Sequence, residues 1–371
     1  MARVSGLSPR IANILKQEAL SLGGDAALPA AAYSLENGEC GALVMGSPAL
    51  LAELADKLAR HGGDLADLGE RLRWCSRNYQ QASTSDGLPS ALGGKPWQVM
   101  GVLNITPDSF YDGGRHLDTG AALAQAGRMA AAGAGIIDVG GESTRPGADA
   151  VGEKEELARV LPVVERIASE LDVPVSIDTS KAKVAREALQ AGAAMINDVT
   201  ALTGDRKMVS VAADYGCPLC LMHMRGTPRN MQRRPRYRDV VSELIEFFHQ
   251  RVEWAAARGV ARGNIIIDPG IGFGKGLEHN LTLLNHLDSF LSLGRPLLVG
   301  VSRKSFIGMI AGKQAGDRLP GTIAANVFAL ERGARIFRVH DVAENRQALE
   351  VAAGIGFIGG DAAGDTGDKG A

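Results

Sequence analysis

Eight short apolar runs divide the chain between residues 97 and 354, and each ends on polar or charged residues. A stretch with the apolar spacing of a helix follows each run. Runs of about four to eight residues rich in Val, Ile and Leu that alternate with helical stretches are typical of parallel strands in βα units. The sequence therefore predicts eight parallel strands, within residues 98–104, 135–143, 173–180, 194–200, 218–224, 264–273, 297–304 and 335–341.

These strands are expected to close into a barrel. Eight βα units over about 260 residues match the number and size of a (β/α)8 TIM barrel. Short turns containing Gly133, Gly192 or Gly333 lead into three of the strands, and a glycine there can end a helix in the left-handed conformation. The loops that leave the first two strands are longer. In this fold functional residues lie at the carboxyl ends of the strands, so the polar endings should meet at one site.

The residues before the barrel predict a smaller α/β domain. Ser8 and Pro9 are typical of a helix start, and the apolar spacing predicts helices over 11–22, 48–61 and 64–75 and short strands over 30–33 and 41–45. The fold class is therefore α/β, a TIM barrel preceded by a small α/β N-terminal domain. The predicted boundaries are an N-terminal extension over 1–80, a linker over 81–95, the barrel over 96–357 and a disordered tail over 358–371.

Composition and charge limit the partners. Hydrophobic residues make up 45% of the 371 positions, yet no stretch of about 18 apolar residues predicts a membrane span. The first residues lack the apolar centre of a signal peptide, so a cytoplasmic protein is expected. The formal net charge of −2 argues against nucleic acid or an anionic membrane as a general partner. Any anion must therefore be bound by a local group of cations.

The four cysteines do not predict a disulfide framework in so long a chain. Cys217 and Cys220 form a CxxC pair, but the pair lies inside an apolar run. A zinc site would need a second pair, and a redox site would place the motif at the start of a helix. The expected role of both cysteines is that of small buried side chains.

Three middle strands end on carboxylates or amides. Asp178, Asn197 and Asp268 each close an apolar run, where a barrel would point them into its mouth. Buried carboxylates need partners, and one solution is a ligand with adjacent N–H donors, such as an aminopyrimidinone edge. The other solution is an internal network with Arg or Lys. Three such endings on different strands favour the ligand, although the residues leave both solutions open.

Cations gather at the ends of the last two strands. Lys304 closes a Ser-Arg-Lys sequence after the seventh run, and Arg338 and His340 end the eighth run, two residues apart and hence on one side of the strand. Arg145 follows the second run. This arrangement suits a phosphate or pyrophosphate, with a solvated rim as the alternative. Lys304 could also form a Schiff base, but hydrogen bonding and counter-charge suit its neighbours better.

The loop after the first strand offers a metal ligand. Asn104 comes shortly before a Thr-Pro turn, and its side-chain oxygen suits Mg²⁺, which takes few protein ligands. Taken alone, an Asn in this place is ordinary turn chemistry. The segment 270–275, GIGFGK, lacks the spacing and the following Ser or Thr of a phosphate loop. It is interpreted as a flexible wall in which Phe273 presents an apolar surface.

Together these segments resemble a known family. MGVLNITPDSF, IIDVGGESTRPGA, SIDTSK, INDV, LMHM, DPGIGFGK, VGVSRKSFIG and RVHDV occur in the order found in dihydropteroate synthases of the folate pathway. The resemblance implies a (β/α)8 enzyme that uses Mg²⁺ to join (7,8-dihydropterin-6-yl)methyl diphosphate to 4-aminobenzoate with release of pyrophosphate. It also implies a homodimer. Residues 1–95 lie outside these motifs and carry no signature of a second folate-pathway enzyme.

The resemblance also implies roles for single residues around the barrel mouth. The pterin ring would be held by Asp178, Asn197, Asp268 and Lys304. The diphosphate would be bound by Asn104, beside the metal, and by Arg145, Arg338 and His340. The 4-aminobenzoate pocket, where sulfonamides compete, would be lined by Thr144, Pro146, Phe273 and Ser302. The expected catalytic residues are then Asp178, Lys304 and Arg338.

Two other functions are alternatives to this one. A corrinoid-dependent methyltransferase has a similar pterin-binding barrel and would retain the strand-end Asp and Asn residues, but it has no evident need of the cations after the last two strands. A non-catalytic pterin-binding module would use the N-terminal extension as its output. Motifs for both substrates and for Mg²⁺ favour the synthase.

Overall fold

The computed structural model describes residues 1–34, 38–83, 88–93, 95–106, 111–112, 116–143 and 147–357. The predicted tail, part of the predicted linker and three predicted site residues lie outside the described residues; the three are Thr144, Arg145 and Pro146. Contacts divide the chain into two compact units, unit 1 with residues 1–84 and 292–294, and unit 2 with the rest. The finer boundaries at residues 80, 95 and 357 stay predictions. No helix among the described residues is long and apolar enough to cross a membrane.

Unit 1 contains a three-stranded antiparallel sheet and four helices. The strands, in the sheet order β1–β3–β2, are β1 (Ala2–Leu7), β2 (Asp25–Ala27) and β3 (Cys40–Met45). The helices are α1 (Pro9–Ser21), α2 (Ala30–Tyr33), α3 (Pro48–Ala59) and α4 (Gly63–Ser83). Alternate sheet residues such as Val4 and Val44 join Leu15 and Leu54 from the helices in one buried core.

The apolar pattern predicts this unit only in part. The predicted helix start is confirmed, because the Ser8 hydroxyl accepts a hydrogen bond from the Ile11 N–H at 3.3 Å. The predicted strand over 30–33 is wrong, since Ala30–Tyr33 is a helical turn. Three successive alanines favour helix, and Asn13 Nδ2 donates to the Ala32 carbonyl at 2.6 Å. Nothing in the pattern predicts β1 or β2, and β2 pairs with β3 in antiparallel fashion.

Unit 2 contains a closed barrel of parallel strands. A short hairpin of β5 (Tyr111–Asp112) and β6 (His116–Leu117) follows the first barrel strand. The barrel strands are β4 (Gln98–Asn104), β7 (Ile136–Gly140), β8 (Val175–Asp178), β9 (Met195–Asp198), β10 (Leu219–Met222), β11 (Ile265–Asp268), β12 (Leu297–Val299) and β13 (Ala334–Val339). They pair in chain order, and β13 pairs with β4 to close the ring. Each overlaps one predicted run, so the predicted TIM barrel is confirmed.

Helices alternate with the barrel strands. They are α5 (Thr119–Ala131), α6 (Glu153–Glu170), α7 (Ala182–Gln190), α8 (Met208–Tyr215), α9 (Val240–Ala256), α10 (Leu277–Asn285), α11 (Ser305–Ala311), α12 (Leu319–Glu331) and α13 (Val342–Phe357). Gly133, Gly192 and Gly333 have φ angles of 91°, 105° and 91°. Each therefore ends its helix in the left-handed region, as predicted, and lets the chain turn quickly into the next strand.

Apolar side chains from seven of the strands pack in one buried cluster. They are Met100, Ile136, Met195, Cys220, Ile266, Leu298 and Ile336. Leu88 and Leu92, which precede β4, belong to the same cluster, and Gln98 Nε2 donates to the Leu92 carbonyl at 2.9 Å. Residues 88–92 therefore contribute to the core of the barrel as well as connecting it to the preceding chain.

Candidate active site

One pocket lies at the carboxyl ends of the barrel strands. Its lining consists of Val102, Asp178, Asn197, Val199, Met222, Asp268, Phe273, Gly300, Ser302, Lys304, Arg338 and His340. Eight of the twelve predicted site residues are among them. The structure therefore brings the polar strand endings together, as the barrel geometry predicts.

Arg338, which lines this pocket, forms hydrogen bonds with two carboxylates. Its Nε donates to Asp138 Oδ2 at 2.6 Å and its Nη2 donates to Asp178 Oδ2 at 2.8 Å. Asn197 Nδ2 also donates to Asp138 Oδ2, at 3.2 Å. Asp138 is fully buried, and its other oxygen has no partner among the described residues. Asp178 thus takes part in the internal network that the sequence leaves open, and Asp138 is at its centre.

Burial sets the charge states in this network. It raises the pKa of Asp178 to about 7, against the opposing effect of Arg338. For Arg338, burial lowers the pKa, but Asp138 and Asp178 raise it by more. Arg338 is therefore a permanent cation, whereas Asp178 can exist in both protonation states near neutral pH.

Lys304 lines the same pocket, and a Cβ on Gly300 would lie 3.8 Å from both Lys304 Nζ and Arg338 Cβ. Its Nζ donates to the Ile271 carbonyl and lies 4.4 Å from the centre of the Phe273 ring. Burial lowers the pKa of Lys304 to about 8, and the nearby Asp268 works against that shift. Gly272 has a φ of 85°, and a Cβ there would lie 3.1 Å from Lys304 Cδ. A glycine at 272 therefore serves both the turn and the close approach of the lysine.

Lys275 ties the 270–275 segment to the end of β10. Its Nζ lies 2.9 Å from His223 Nδ1 and donates to the carbonyls of His223 at 3.2 Å and Phe273 at 3.0 Å. Burial, followed by Lys275, lowers the pKa of His223 to about 3. His223 is therefore a neutral acceptor. The sequence analysis gives neither residue a role, and a lysine in a glycine-rich loop carries no signal that it is buried.

Ser302 and His340 interact across neighbouring strand ends. Ser302 Oγ lies 3.0 Å from His340 Nδ1 and accepts a hydrogen bond from the His340 backbone N–H at 3.2 Å. Arg303, between Ser302 and Lys304, instead forms an ion pair with Asp341, with 2.9 Å between Nε and Oδ2. Lys304, Arg338 and His340 therefore line the pocket, as expected for the ends of the last two strands, whereas Arg303 does not.

Asn104 lies at the edge of the same site and fits a metal that needs few protein ligands. Asn104 Oδ1 and Asp178 Oδ2 both lie 3.7 Å from the position that a Cβ on Gly140 would occupy. The glycine thus leaves room between two oxygen donors. Among the described residues, no group of three or more His, Cys, Asp or Glu side chains could hold a metal ion. This donor set suits Mg²⁺, which keeps waters and phosphate oxygens in its shell.

Other strand-end acids stabilise the barrel mouth. Glu142 pairs with Lys181, and Asp198 accepts hydrogen bonds from the Thr200 and Leu202 backbone N–H groups at 2.8 and 2.6 Å. In the structure these acids are therefore engaged in contacts within the barrel.

The CxxC pair is buried, as predicted. Burial raises the pKa of the Cys217 thiol to about 11 and that of Cys220 well above its usual value. Both thiols are free. A high pKa leaves almost no thiolate, so neither cysteine is suited to metal or redox chemistry.

Comparison with known proteins shows which family this chain resembles. A family model of pterin binding enzymes matches residues 100–340. The dihydropteroate synthase of Escherichia coli strain K12 is 49% identical over 253 residues, which are 68% of this chain and 89% of that protein.

Solved structures agree with this match. The dihydropteroate synthase of Yersinia pestis in complex with a sulfonamide drug is 48% identical, with a TM-score of 0.66, and the match covers 70% of this chain and 94% of that chain. The enzyme of Xanthomonas albilineans with 4-aminobenzoic acid is 45% identical, with a TM-score of 0.66 and coverages of 70% and 93%. Because the family model matches residues 100–340, which include every residue that lines the pocket, and the Escherichia coli relative is 49% identical, the chain belongs to the pterin-binding enzyme family, among its dihydropteroate synthases.

Proposed function

We propose that this chain joins (7,8-dihydropterin-6-yl)methyl diphosphate to 4-aminobenzoate, giving 7,8-dihydropteroate and pyrophosphate. One observation carries the proposal: a single pocket combines the strand endings Asp178, Asn197 and Asp268 with the cations Lys304 and Arg338. A heterocycle rich in donors and acceptors needs the first group. A departing diphosphate needs the second.

Asp178, Asn197, Asp268 and Lys304 are proposed to hold the pterin ring. A carboxylate has about four acceptor positions, so Asp178 can bind ring N–H groups while it keeps its bond to Arg338. An ammonium group has three donors, so Lys304 can donate to the ring in addition to the Ile271 carbonyl. The preformed Arg338 network fixes Asp178 before the ligand arrives.

Arg338 and His340 are proposed to bind the diphosphate, together with Asn104 and with Arg145, which lies outside the described residues. Arg338 has five N–H donors, and its bonds to Asp138 and Asp178 leave others for phosphate oxygens. Asn104 would hold Mg²⁺, which when bound neutralises charge on the diphosphate oxygens.

Thr144, Pro146, Phe273 and Ser302 are proposed to form the 4-aminobenzoate pocket, with Thr144 and Pro146 outside the described residues. Phe273 offers a flat apolar surface for a benzene ring. The Xanthomonas relative with 4-aminobenzoic acid and the Yersinia relative with a sulfonamide drug support this assignment. Sulfonamides are therefore expected to compete for the same pocket.

The reaction follows from these positions. The bond between the pterin methylene carbon and the diphosphate oxygen breaks, and the electron pair leaves with pyrophosphate. Arg338 stabilises the growing negative charge, while the carboxylates of Asp178 and Asp268 favour the positive charge that develops on the pterin. The amine nitrogen of 4-aminobenzoate forms the new C–N bond and then releases a proton to solvent. Because the electrophile is largely formed before attack, no strong protein base is needed.

Turnover of purified protein tests the proposal. With Mg²⁺, the pterin diphosphate and 4-aminobenzoate, we expect equimolar dihydropteroate and pyrophosphate, and removal of Mg²⁺ with EDTA should abolish turnover while free pterin still binds. Pterin binding without turnover would favour a non-catalytic module. Methyl transfer from methyltetrahydrofolate to a corrinoid would favour the methyltransferase.

A variant tests whether Arg338 binds the diphosphate and not the pterin ring. R338A should weaken binding of the pterin diphosphate far more than binding of the free pterin, because it removes the cation that faces the leaving group. The bond to Asp178 predicts a smaller loss for the free pterin as well. Equal losses for both ligands, measured by calorimetry, would remove Arg338 from the diphosphate site.

We also propose that the enzyme is a homodimer. Large apolar side chains are exposed on α11, α12 and α13, helices that pack in succession. They are Met309, Ile310, Phe328, Val351 and Ile355, with exposed fractions of 65%, 59%, 42%, 60% and 70%. Apolar surface of this kind is typical of protein interfaces. Light scattering should show a dimer for the wild type and for the control L281K, and a monomer for I355K; a monomeric wild type would contradict the proposal.

We further propose that the enzyme acts in the cytoplasm. All four cysteines are free thiols, which suits a reducing compartment. Cell fractionation with antibodies to the native protein would test this, and recovery outside the cytoplasm would contradict it.

A further inference from the structure

The loop between β10 and α9, residues 224–239, is strongly basic. We name it the arginine loop. It contains one acidic residue, Asp239, and six exposed arginines, Arg225, Arg229, Arg233, Arg234, Arg236 and Arg238. In a chain whose formal net charge is −2, this is a marked local excess of positive charge.

The arginine loop is attached to the wall of the pocket. Gln232 Nε2 donates to the Gly272 carbonyl at 2.6 Å, and the Tyr237 hydroxyl donates to the Gly274 carbonyl at 2.9 Å. These two glycines flank Phe273, which lines the pocket. The arginines next to Gln232 and Tyr237 in the chain therefore lie at the rim of the pocket.

Among the described residues, only two of the six arginines have acidic partners. Arg225 pairs with Glu243 at 3.3 Å, and Arg229 pairs with Asp149 at 2.5 Å. For the other four, no acid among the described residues lies within ion-pair distance. The four unpaired arginines are Arg233, Arg234, Arg236 and Arg238. No acid of the described residues therefore neutralises their positive charge in an ion pair.

The pocket itself supplies little long-range attraction for an anion. Its lining balances the carboxylates of Asp178 and Asp268 against the cations Lys304 and Arg338. The buried carboxylate of Asp138 accepts hydrogen bonds from Arg338 and Asn197 and adds a further negative charge next to the pocket. A diphosphate approaching from solution would therefore be attracted mainly by the positive charge at the rim of the pocket.

We infer that the four unpaired arginines of the arginine loop steer anionic substrates, the pterin diphosphate above all, into the pocket. This inference rests on the proposed function. Exposed charges at the mouth of a cleft raise association rates of oppositely charged ligands by about tenfold to a thousandfold. Because these arginines are exposed and unpaired, they act on the encounter and not on the chemical step. Their effect should therefore disappear as salt screens the field.

Two variants with the same net charge test the inference. The test variant changes the unpaired arginines to Gln: R233Q, R234Q, R236Q and R238Q. The control variant changes four exposed arginines of unit 1 that lack ion pairs among the described residues: R10Q, R60Q, R71Q and R77Q. Stopped-flow fluorescence would give the association rate constants of the pterin diphosphate and of the neutral hydroxymethyl pterin.

At about 0.01 M ionic strength, where the Debye length is about 30 Å, the test variant should bind the diphosphate about tenfold more slowly than the wild type. At about 1 M, where it is about 3 Å, the difference should shrink to less than about twofold. The neutral pterin and kcat should be unchanged, and the control variant should match the wild type throughout. Circular dichroism would verify that both variants are folded.

Three results would overturn the inference. They are an unchanged diphosphate rate at low salt, an equal slowing with the neutral pterin, and an equal slowing in the control variant. A wild type that binds the diphosphate but does not make dihydropteroate would overturn the proposed function alone. A wild type that does not bind the diphosphate would overturn both.

Discussion

The turn after β12 gives a direct test of how the backbone supports the pocket. Arg303 has a φ of 55°, in the left-handed region that costs a residue other than glycine about 1–2 kcal/mol. Three contacts hold it there. Its N–H donates to Thr322 Oγ1 at 2.9 Å, its carbonyl accepts from Arg318 Nη1 at 3.0 Å, and its Nε donates to Asp341 Oδ2 at 2.9 Å. Both of its chain neighbours line the pocket.

Two substitutions at this position separate the ion pair from the backbone strain. R303A and R303G both lose the pair with Asp341. The Arg303 side chain is 40% exposed, so after solvent screening the pair contributes no more than about 1 kcal/mol. Alanine must still adopt the left-handed conformation, whereas glycine adopts it freely. Glycine recovers about 1–2 kcal/mol, and its larger freedom in the unfolded chain offsets about 0.4–1 kcal/mol.

We therefore expect R303G to be more stable than R303A by about 0.5–1 kcal/mol. Urea titrations followed by circular dichroism would give the difference in unfolding free energy. The matched control is Glu165, an exposed residue in the interior of α6, where E165G should be less stable than E165A by about 1 kcal/mol. If alanine is as stable as glycine at position 303, the reasoning about strain is refuted.

Three further predictions concern the pocket and its surroundings. A Cβ on Gly270 would lie 2.0 Å from a backbone carbonyl oxygen, whereas Gly312 has the same positive φ and open space; in urea titrations G270A should cost about 3 kcal/mol or more and G312A about 1 kcal/mol, and equal losses would contradict this. Because the pKa of Asp178 is about 7 and its carboxylate is the form proposed to bind the pterin, calorimetry should show affinity rising with pH through about 7, a dependence that D178N removes; a flat wild-type profile would count against it. Native Cys217 and Cys220 should resist a thiol reagent at pH 8, since burial raises the pKa of both thiols, and rapid labelling would disprove this.

The barrel and the position of its pocket at the carboxyl ends of the strands could be predicted because both depend on local patterns. Each strand is a short apolar run, and the parallel pairing that follows from alternating helices places every strand end on one side. Asp178, Asn197 and Asp268 therefore meet in one pocket although they are far apart in the chain.

Other features could not be predicted because they depend on contacts between distant residues. Arg338 reaches Asp138 across 200 positions of sequence, and nothing in either run indicates which carboxylate an arginine will select. The left-handed turn at Arg303 directs that cation to Asp341, and the sequence does not indicate that Arg303 and Lys304, adjacent in the chain, will point to different places. Lys275 becomes buried only because three acceptors surround its ammonium group.

Leu88 and Leu92 have a practical consequence for anyone who wishes to study the barrel without unit 1. A shortened protein that begins after residue 93 would lose two side chains of the barrel core along with the extension. Loss of a buried leucine costs about 2–5 kcal/mol of folding free energy, so such a protein would be inactive because its barrel is destabilised. Its inactivity would then be mistaken for a catalytic role of the extension. A shortened protein that begins at Ser85, where unit 2 begins, keeps both leucines, so its activity reports on the extension alone.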